Sequence, residues 1–189
     1  MNPRELSHEL RRGDSPNLRR RRKVVALSLV AAGSMGLIAL YQTGVIRRLP
    51  DVPLRGFDAS KVDAAEQAYS YFDTPDALLG LKSYTWTAAL AGAGGEDRVA
   101  RLPWLPIVIA AKALVDAGVA AKLTWDQWAK HRAFCIWCLL AAACTFGIVP
   151  LVMPEARQAI RELMREPRSP KPVRSARSWA RDVFAAMTP

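Results

Sequence analysis

The chain has 189 residues, three cysteines with none before Cys135, and two histidines, His8 and His131. The first absence excludes an internal relay in which one cysteine pair hands electrons to a second. The scarcity of histidine leaves a zinc site short, because zinc takes about four protein ligands, and no metal is expected. Charge is also missing where it counts: none occurs from Val24 to Ile46. That run exceeds the roughly 20 residues that carry a helix across about 30 Å of hydrocarbon. A cleaved leader is the rival reading of this segment, given the basic run Arg19 to Lys23 before it. Its apolar stretch is longer than a signal core and no small-x-small cleavage site follows, so a retained span is expected.

What remains is segregated into apolar and basic blocks, with 51% hydrophobic residues beside a net charge of +10. This pattern belongs to membrane proteins. Three further spans are expected at about Pro75 to Ala93, Leu102 to Trp125 and Ala133 to Met153. Arg4, Arg11, Arg12 and the Arg19–Lys23 run precede the first span. Arg157, Arg161, Arg165, Arg168, Lys171, Arg174, Arg177 and Arg181 follow the last. Basic residues flanking spans stay in the cytoplasm, which places both termini there and requires an even number of spans. The segments are then a basic tail over 1–23, a four-span unit over 24–153 and a second basic tail over 154–189. The fold class is all-α, a polytopic four-helix bundle in the inner (plasma) membrane.

The loop from Arg47 to Thr74 carries four basic and five acidic residues and is expected outside. Within it Val62, Ala65, Tyr69 and Phe72 recur at helical spacing, so a short helix over the outer mouth of the bundle is expected. Trp104, Trp125 and Trp128 read as interfacial belt residues. The basic runs read as topology signals and anionic-lipid contacts, not as nucleic-acid binding. Lys112 and Asp116 lie one helical turn apart and are expected to pair inside the bundle. Lys122 is placed to snorkel, and Lys82 to snorkel or to face a cavity. A role for Lys82 or Asp116 in proton movement is the functional alternative.

Redox chemistry has one possible seat, Cys135-Ile136-Trp137-Cys138. Thiols three residues apart on a helix share a face and can close a disulfide. A helix N-terminus stabilises a thiolate, so Cys135 is expected to be the exchange-active, partner-facing thiol, near the external face where disulfides persist. Upstream, His131 and Arg132 add to that effect if they face it. Cys138 is expected one turn deeper and less accessible. Cys144 is turned away from the pair and reads as a packing or lipid-facing thiol.

Two segments together resemble the vitamin K epoxide reductase family: Thr74-Pro75-Asp76-Ala77-Leu78-Leu79-Gly80-Leu81-Lys82-Ser83-Tyr84 and Phe134-Cys135-Ile136-Trp137-Cys138-Leu139. The first matches a Pro-x-x-Leu-x-Gly-x-x-x-Tyr pattern at the opening of the second span, and the similarity runs from about Phe57 to Met153. The resemblance implies a four-helix membrane thiol oxidoreductase that couples its CxxC to a quinone. It makes Cys138 the thiol beside the quinone and Cys135 the thiol that exchanges with a reductant. It aligns Asp76 with an asparagine that hydrogen-bonds a quinone carbonyl, and Ala142 with a tyrosine that makes the other contact. Family members hold a second cysteine pair in the external loop, where this chain has Phe57 and Ala65. The expected partner is therefore a periplasmic thioredoxin-like thiol protein that reaches Cys135 directly, in support of disulfide-bond formation. Two rivals stand beside it: a redox-inactive membrane scaffold or complex subunit on the same fold, and a transporter or channel built on Lys82, Lys112 and Asp116.

Overall fold

In a computed structural model, residues 3–51, 53, 55–69 and 73–165 are described. The expectations for Phe72 and for the basic residues from Arg168 to Arg181 lie outside these residues. Among the described residues every regular element is helical, and one isolated bridge pairs Phe57 with Phe134.

A polar helix α1 (Pro3–Arg12) precedes α2 (Pro16–Gln42). The start of α2 is set by Ser15, whose side chain accepts from the Leu18 N–H at 3.3 Å, with Pro16 in the first turn where its missing N–H costs nothing. At 27 residues α2 is about 40 Å long. It therefore carries the basic run Arg19 to Lys23 as helix before the uncharged stretch begins. Thr43 closes it by donating its hydroxyl to the Ala39 carbonyl at 2.7 Å, and Gly44, at φ 77°, turns the chain.

The loop that follows holds α3 (Ala59–Asp63), capped by the Asp58 side chain on the Lys61 N–H, and a 3-10 turn over Glu66–Tyr69. Next come α4 (Asp76–Gly92), a one-turn α5 (Arg98–Arg101) and α6 (Trp104–Asp126), which runs on as a π turn over Gln127–His131. Arg132 then adopts left-handed backbone at φ 51°, and α7 (Ile136–Met164) completes the order. Helix α7 continues past Met153, so the first part of the C-terminal basic segment is helical.

Three helical stretches are long and apolar enough to cross a membrane: Pro16–Gln42, Trp104–His131 and Ile136–Met164. Helix α4 has 17 residues, about 25 Å, and packs as the fourth rod. Helix α2 sits between α4 and α7, α7 also packs on α6, and the α4–α6 side of the ring is the loosest. The motif residues at the head of α4 now have physical reasons. Pro75 occupies the N-cap, and Gly80 is glycine because Met35 fills the space beside it: a Cβ there would lie 2.8 Å from the Met35 sulfur.

Small side chains dominate the middle of the bundle, where Ala31, Ala141 and Cys144 pack together with Tyr84 beside them. Cys144 is thus a packing thiol and not a lipid-facing one. Lys112 reaches Asp116 at 2.6 Å and the Ser83 hydroxyl at 2.7 Å, so this intramembrane charge is paired and hydrogen-bonded as expected. Lys122 pairs with Asp126, and Lys82 is exposed. Trp125 and Trp128 stack edge to face at one end of α6, Trp104 is exposed at the other, and the Arg132 guanidinium lies 5.8 Å over Trp128.

One cluster was invisible in the linear charge count. Glu155 of α7 accepts from Arg21 of α2 (Nε at 3.0 Å) and from Arg98 of α5 (Nε at 2.8 Å, Nη2 at 2.7 Å), and all three side chains are buried. The remaining guanidinium donors are spent on carbonyls: Arg21 on Gly95 at 2.9 Å, Arg98 on Leu90, Ala91 and Ala93. Removing the shared carboxylate strands two buried cations, a change that costs roughly 3–5 kcal/mol. Glu155→Leu is expected to lose stability of that order, read as a lowered unfolding midpoint in detergent, whereas Glu162→Leu on the exposed end of the same helix leaves the midpoint within error.

Candidate functional site

Cys135 is the N-cap of α7. Its backbone is extended (φ −97°, ψ 118°), its sulfur accepts from the Cys138 N–H at 3.4 Å, and its own N–H is taken by the Gln127 side-chain oxygen at 2.9 Å. A sulfur in this position faces the unsatisfied N–H groups and positive end of the helix, as the sequence led one to expect. Both cysteines are free thiols, and their sulfurs and an Asp63 carboxylate oxygen all lie within 4.8 Å of one another. Three such donors are one fewer than a closed zinc site takes.

The accessibility of the pair is the reverse of the expectation. Cys135 is 0% exposed, while Cys138 is half-buried. The cause is the loop that precedes α4. Phe134 N–H donates to the Gly56 carbonyl at 2.8 Å and Asp58 N–H to the Phe134 carbonyl at 3.1 Å, and the Phe57 and Phe134 rings sit 6.1 Å apart. Ala59 and Val62 of α3 then pack into the same cluster as Cys135 and Ala133. The Trp137 indole N–H donates to the Pro50 carbonyl at 2.7 Å and fastens the other side of the loop. Arg132 stacks on Trp128, as above.

Cys138 instead opens into a cavity of about 390 Å³ on the loose side of the ring between α4 and α6. Asp76 and Ala142 line the same cavity, together with Asp63, Ser83, Tyr84 and Asp116. Three of the four residues picked out in the sequence therefore meet there, and Cys135 stands behind them. The walls are mostly apolar with a few convergent polar groups, and the volume falls in the range of small-molecule sites. A quinone ring fits this description. Tyr84 contacts the Thr145 hydroxyl at 2.7 Å, and because Thr145 itself donates to the Ala141 carbonyl at 2.8 Å, the tyrosine is the donor.

Gln42 organises the polar side. Its side-chain nitrogen donates to the Asp63 carbonyl at 3.1 Å and to Asp76 Oδ1 at 2.8 Å, and its oxygen accepts from the Ala77 N–H at 3.2 Å. One residue thus ties α2, α3 and α4 beside the thiols. With Oδ1 of Asp76 engaged, only a protonated carboxyl has a donor to offer a carbonyl in the cavity.

Asp63 is the functional residue that the linear pattern did not reveal. It counts among the acidic residues of a polar loop, and only the fold brings it, as the last residue of α3, against the pair. It is 4% exposed, Oδ1 accepts from the Cys138 thiol at 3.4 Å, and Oδ2 has no hydrogen-bond partner. Burial pushes its pKa up to about 6 from 3.8; hydrogen bonds from Cys135 and Cys138 oppose this, and the charges of Asp76 and Asp51 add to it. A carboxyl whose folded pKa is raised contributes stability below its unfolded pKa and loses it as the pH rises through about 6. The difference is on the order of 3 kcal/mol at most. Asp63→Asn is therefore expected to unfold at higher denaturant than the wild type at pH 8, with the gap closing by pH 4.

A helical membrane bundle that pairs two thiols at the start of its last helix and sets one of them against an apolar cavity defines a class of membrane thiol protein. The sequence model of the vitamin K epoxide reductase family matches residues 23–153, and the chain belongs to that family. Members of this family are in general membrane oxidoreductases with quinone substrates. No curated protein and no solved structure matches the chain.

Proposed function

We propose that this chain is a quinone-dependent thiol-disulfide oxidoreductase that oxidises a thioredoxin-like protein outside the inner membrane and so supports disulfide-bond formation. The observation that carries the reading is Cys138, which lines the apolar cavity of about 390 Å³ while its sulfur lies within 4.8 Å of that of Cys135. In this reading all four long helices span the bilayer, both termini are cytoplasmic, and the α3 loop and the CxxC face the exterior. The basic residues ahead of and within the first turns of α2, and those in the last turns of α7 and beyond it, support that orientation.

The cycle begins with a disulfide between Cys135 and Cys138. A partner thiolate attacks Cys135 Sγ, the bond to Cys138 breaks, and Cys138 leaves with the bonding electron pair. The partner's second thiolate then releases Cys135, so the partner is oxidised and the pair reduced by two electrons. A quinone in the cavity supplies the electron acceptor. Cys138 passes the electrons, Asp76 and Ala142 bound the ring, and the apolar walls exclude water. Because Cys135 lies under the loop, the partner's attack requires the Gly56–Asp58 pairing with Phe134 to open first.

That burial, with Phe57 and Ala65 in place of loop cysteines, favours a second reading: a redox-inactive scaffold or complex subunit on the same fold. Quinone reduction by purified protein with a reduced thioredoxin-like donor separates the two. Turnover is expected in the wild type and is expected to fall to background in both Cys135→Ala and Cys138→Ala. Absence of turnover in folded wild-type protein across several quinones and donors, with a stoichiometric partner co-purifying, would establish the scaffold.

A further inference from the structure

Asp63 is more than a neighbour of the thiols. A buried carboxylate with one oxygen unpartnered is an expensive arrangement, and the two groups that relieve it are the thiols themselves. We propose that Asp63 is the proton acceptor of the cysteine pair, taking up a proton whenever the pair becomes a disulfide and returning it to the Cys138 sulfur when the pair is reduced. This deepens the oxidoreductase reading and rests on it for its use in turnover, although the coupling itself requires only that the two thiols can form a disulfide.

The argument follows from what disulfide formation removes. In the dithiol form the Cys138 S–H donates to Oδ1 at 3.4 Å, and the Cys135 thiol, its sulfur within 4.8 Å, also favours the charged carboxyl. Both thiols hold the carboxyl toward its ionised form. A disulfide has no S–H to donate. What is left acting on Asp63 is burial and the negative charges of Asp76 on α4 and Asp51 in the loop, and all three favour the proton. The Gln42 side chain does not replace the lost donors, because its nitrogen is spent on the Asp63 carbonyl and on Asp76. The group therefore titrates near 6 in the dithiol and higher in the disulfide.

At a pH between those two values the half-reaction reads as follows: Cys135–SH, Cys138–SH and Asp63 carboxylate give the Cys135–Cys138 disulfide, Asp63 carboxylic acid, one free proton and two electrons. Both S–H bonds break and one S–S bond forms. The electrons go to the quinone. One of the two protons the quinone needs is the one released by the pair, and the other comes from solution. Reduction by the partner dithiol runs the line backwards, with Asp63 protonating Cys138 as it leaves and one partner proton returned to solution. A carboxyl poised near neutral pH is matched to this exchange.

The test is the pH dependence of the midpoint potential of the pair. The full chain in lipid is equilibrated with dithiothreitol redox buffers between pH 5 and 9, and free thiols are counted by alkylation. An isolated dithiol exchanges two protons with two electrons until its thiols begin to ionise at about pH 8, so the slopes are compared between about pH 5 and 7.5. The wild type is expected to follow that slope below about pH 6 and to fall to half of it above, where only one net proton accompanies the electrons. Asp63→Asn is expected to keep the full slope throughout, and Asp63→Glu to restore a break. A full, unbroken slope in the wild type overturns the proposal. So does a break that survives in Asp63→Asn, which would assign the proton to another group. The measurement uses neither quinone nor partner protein, so a broken slope together with absent quinone turnover would sink the oxidoreductase reading and leave the coupling standing.

Discussion

Two buried guanidinium groups converge on one carboxylate at the end of the bundle that carries both basic segments, and the placement of everything else follows from that contact. Arg21 and Arg98 cannot lose their charge, so the helices that carry them must arrange carbonyls and Glu155 around them or not pack at all. Glu155 fixes the register of α7 against α2, and Arg98 draws the α4–α5 turn over both by bonding the carbonyls of Leu90, Ala91 and Ala93. With one end locked, the other end is free to be specialised. There the helices diverge enough on the α4–α6 side to leave a cavity, and Gln42 replaces the charged lock with a neutral one.

Much of the architecture can be read in the sequence because hydrocarbon imposes long apolar runs and basic flanks, and these survive in one dimension. The head of α4 shows the same legibility at the level of single residues: proline for the cap, glycine where Met35 crowds in, tyrosine at the cavity wall. Cys138, Asp76 and Ala142 line one cavity, a meeting that motif and helical spacing make legible because they fix these positions relative to a common fold. The burial of Cys135 is not legible in the sequence, because helix position alone says nothing of what covers a helix end. The bridge between Phe57 and Phe134 joins residues far apart in the chain, and no local pattern announces it. Phe57 nevertheless carried a signal, as one of the two positions that the resemblance aligns with loop cysteines.

Asp63, Glu155, Arg21 and Arg98 share a reason for having escaped notice. Each sits among other charged residues in the sequence, and a charge in a basic run or polar loop is ordinarily solvated. Only packing distinguishes the few that are withdrawn from water, and in both clusters the burial is bearable because partners arrive from other elements. Asp63 alone has an oxygen without one, which is why it stands out as chemistry and not as architecture.

The pairing of the loop with Phe134 also bears on kinetics. A strap held by two backbone hydrogen bonds and a ring contact opens as a unit, at a rate that belongs to the protein and not to whatever waits outside. Any soluble thiol seeking Cys135 therefore meets a first-order step ahead of the bimolecular one. At low concentrations its exchange is governed by encounter with the rare open form. At high concentrations the rate reaches a ceiling set by opening, the same for every thiol regardless of its nucleophilicity. Selectivity among thiols then falls to those that bind the strap itself and hasten its release, and small reductants lose the advantage of abundance.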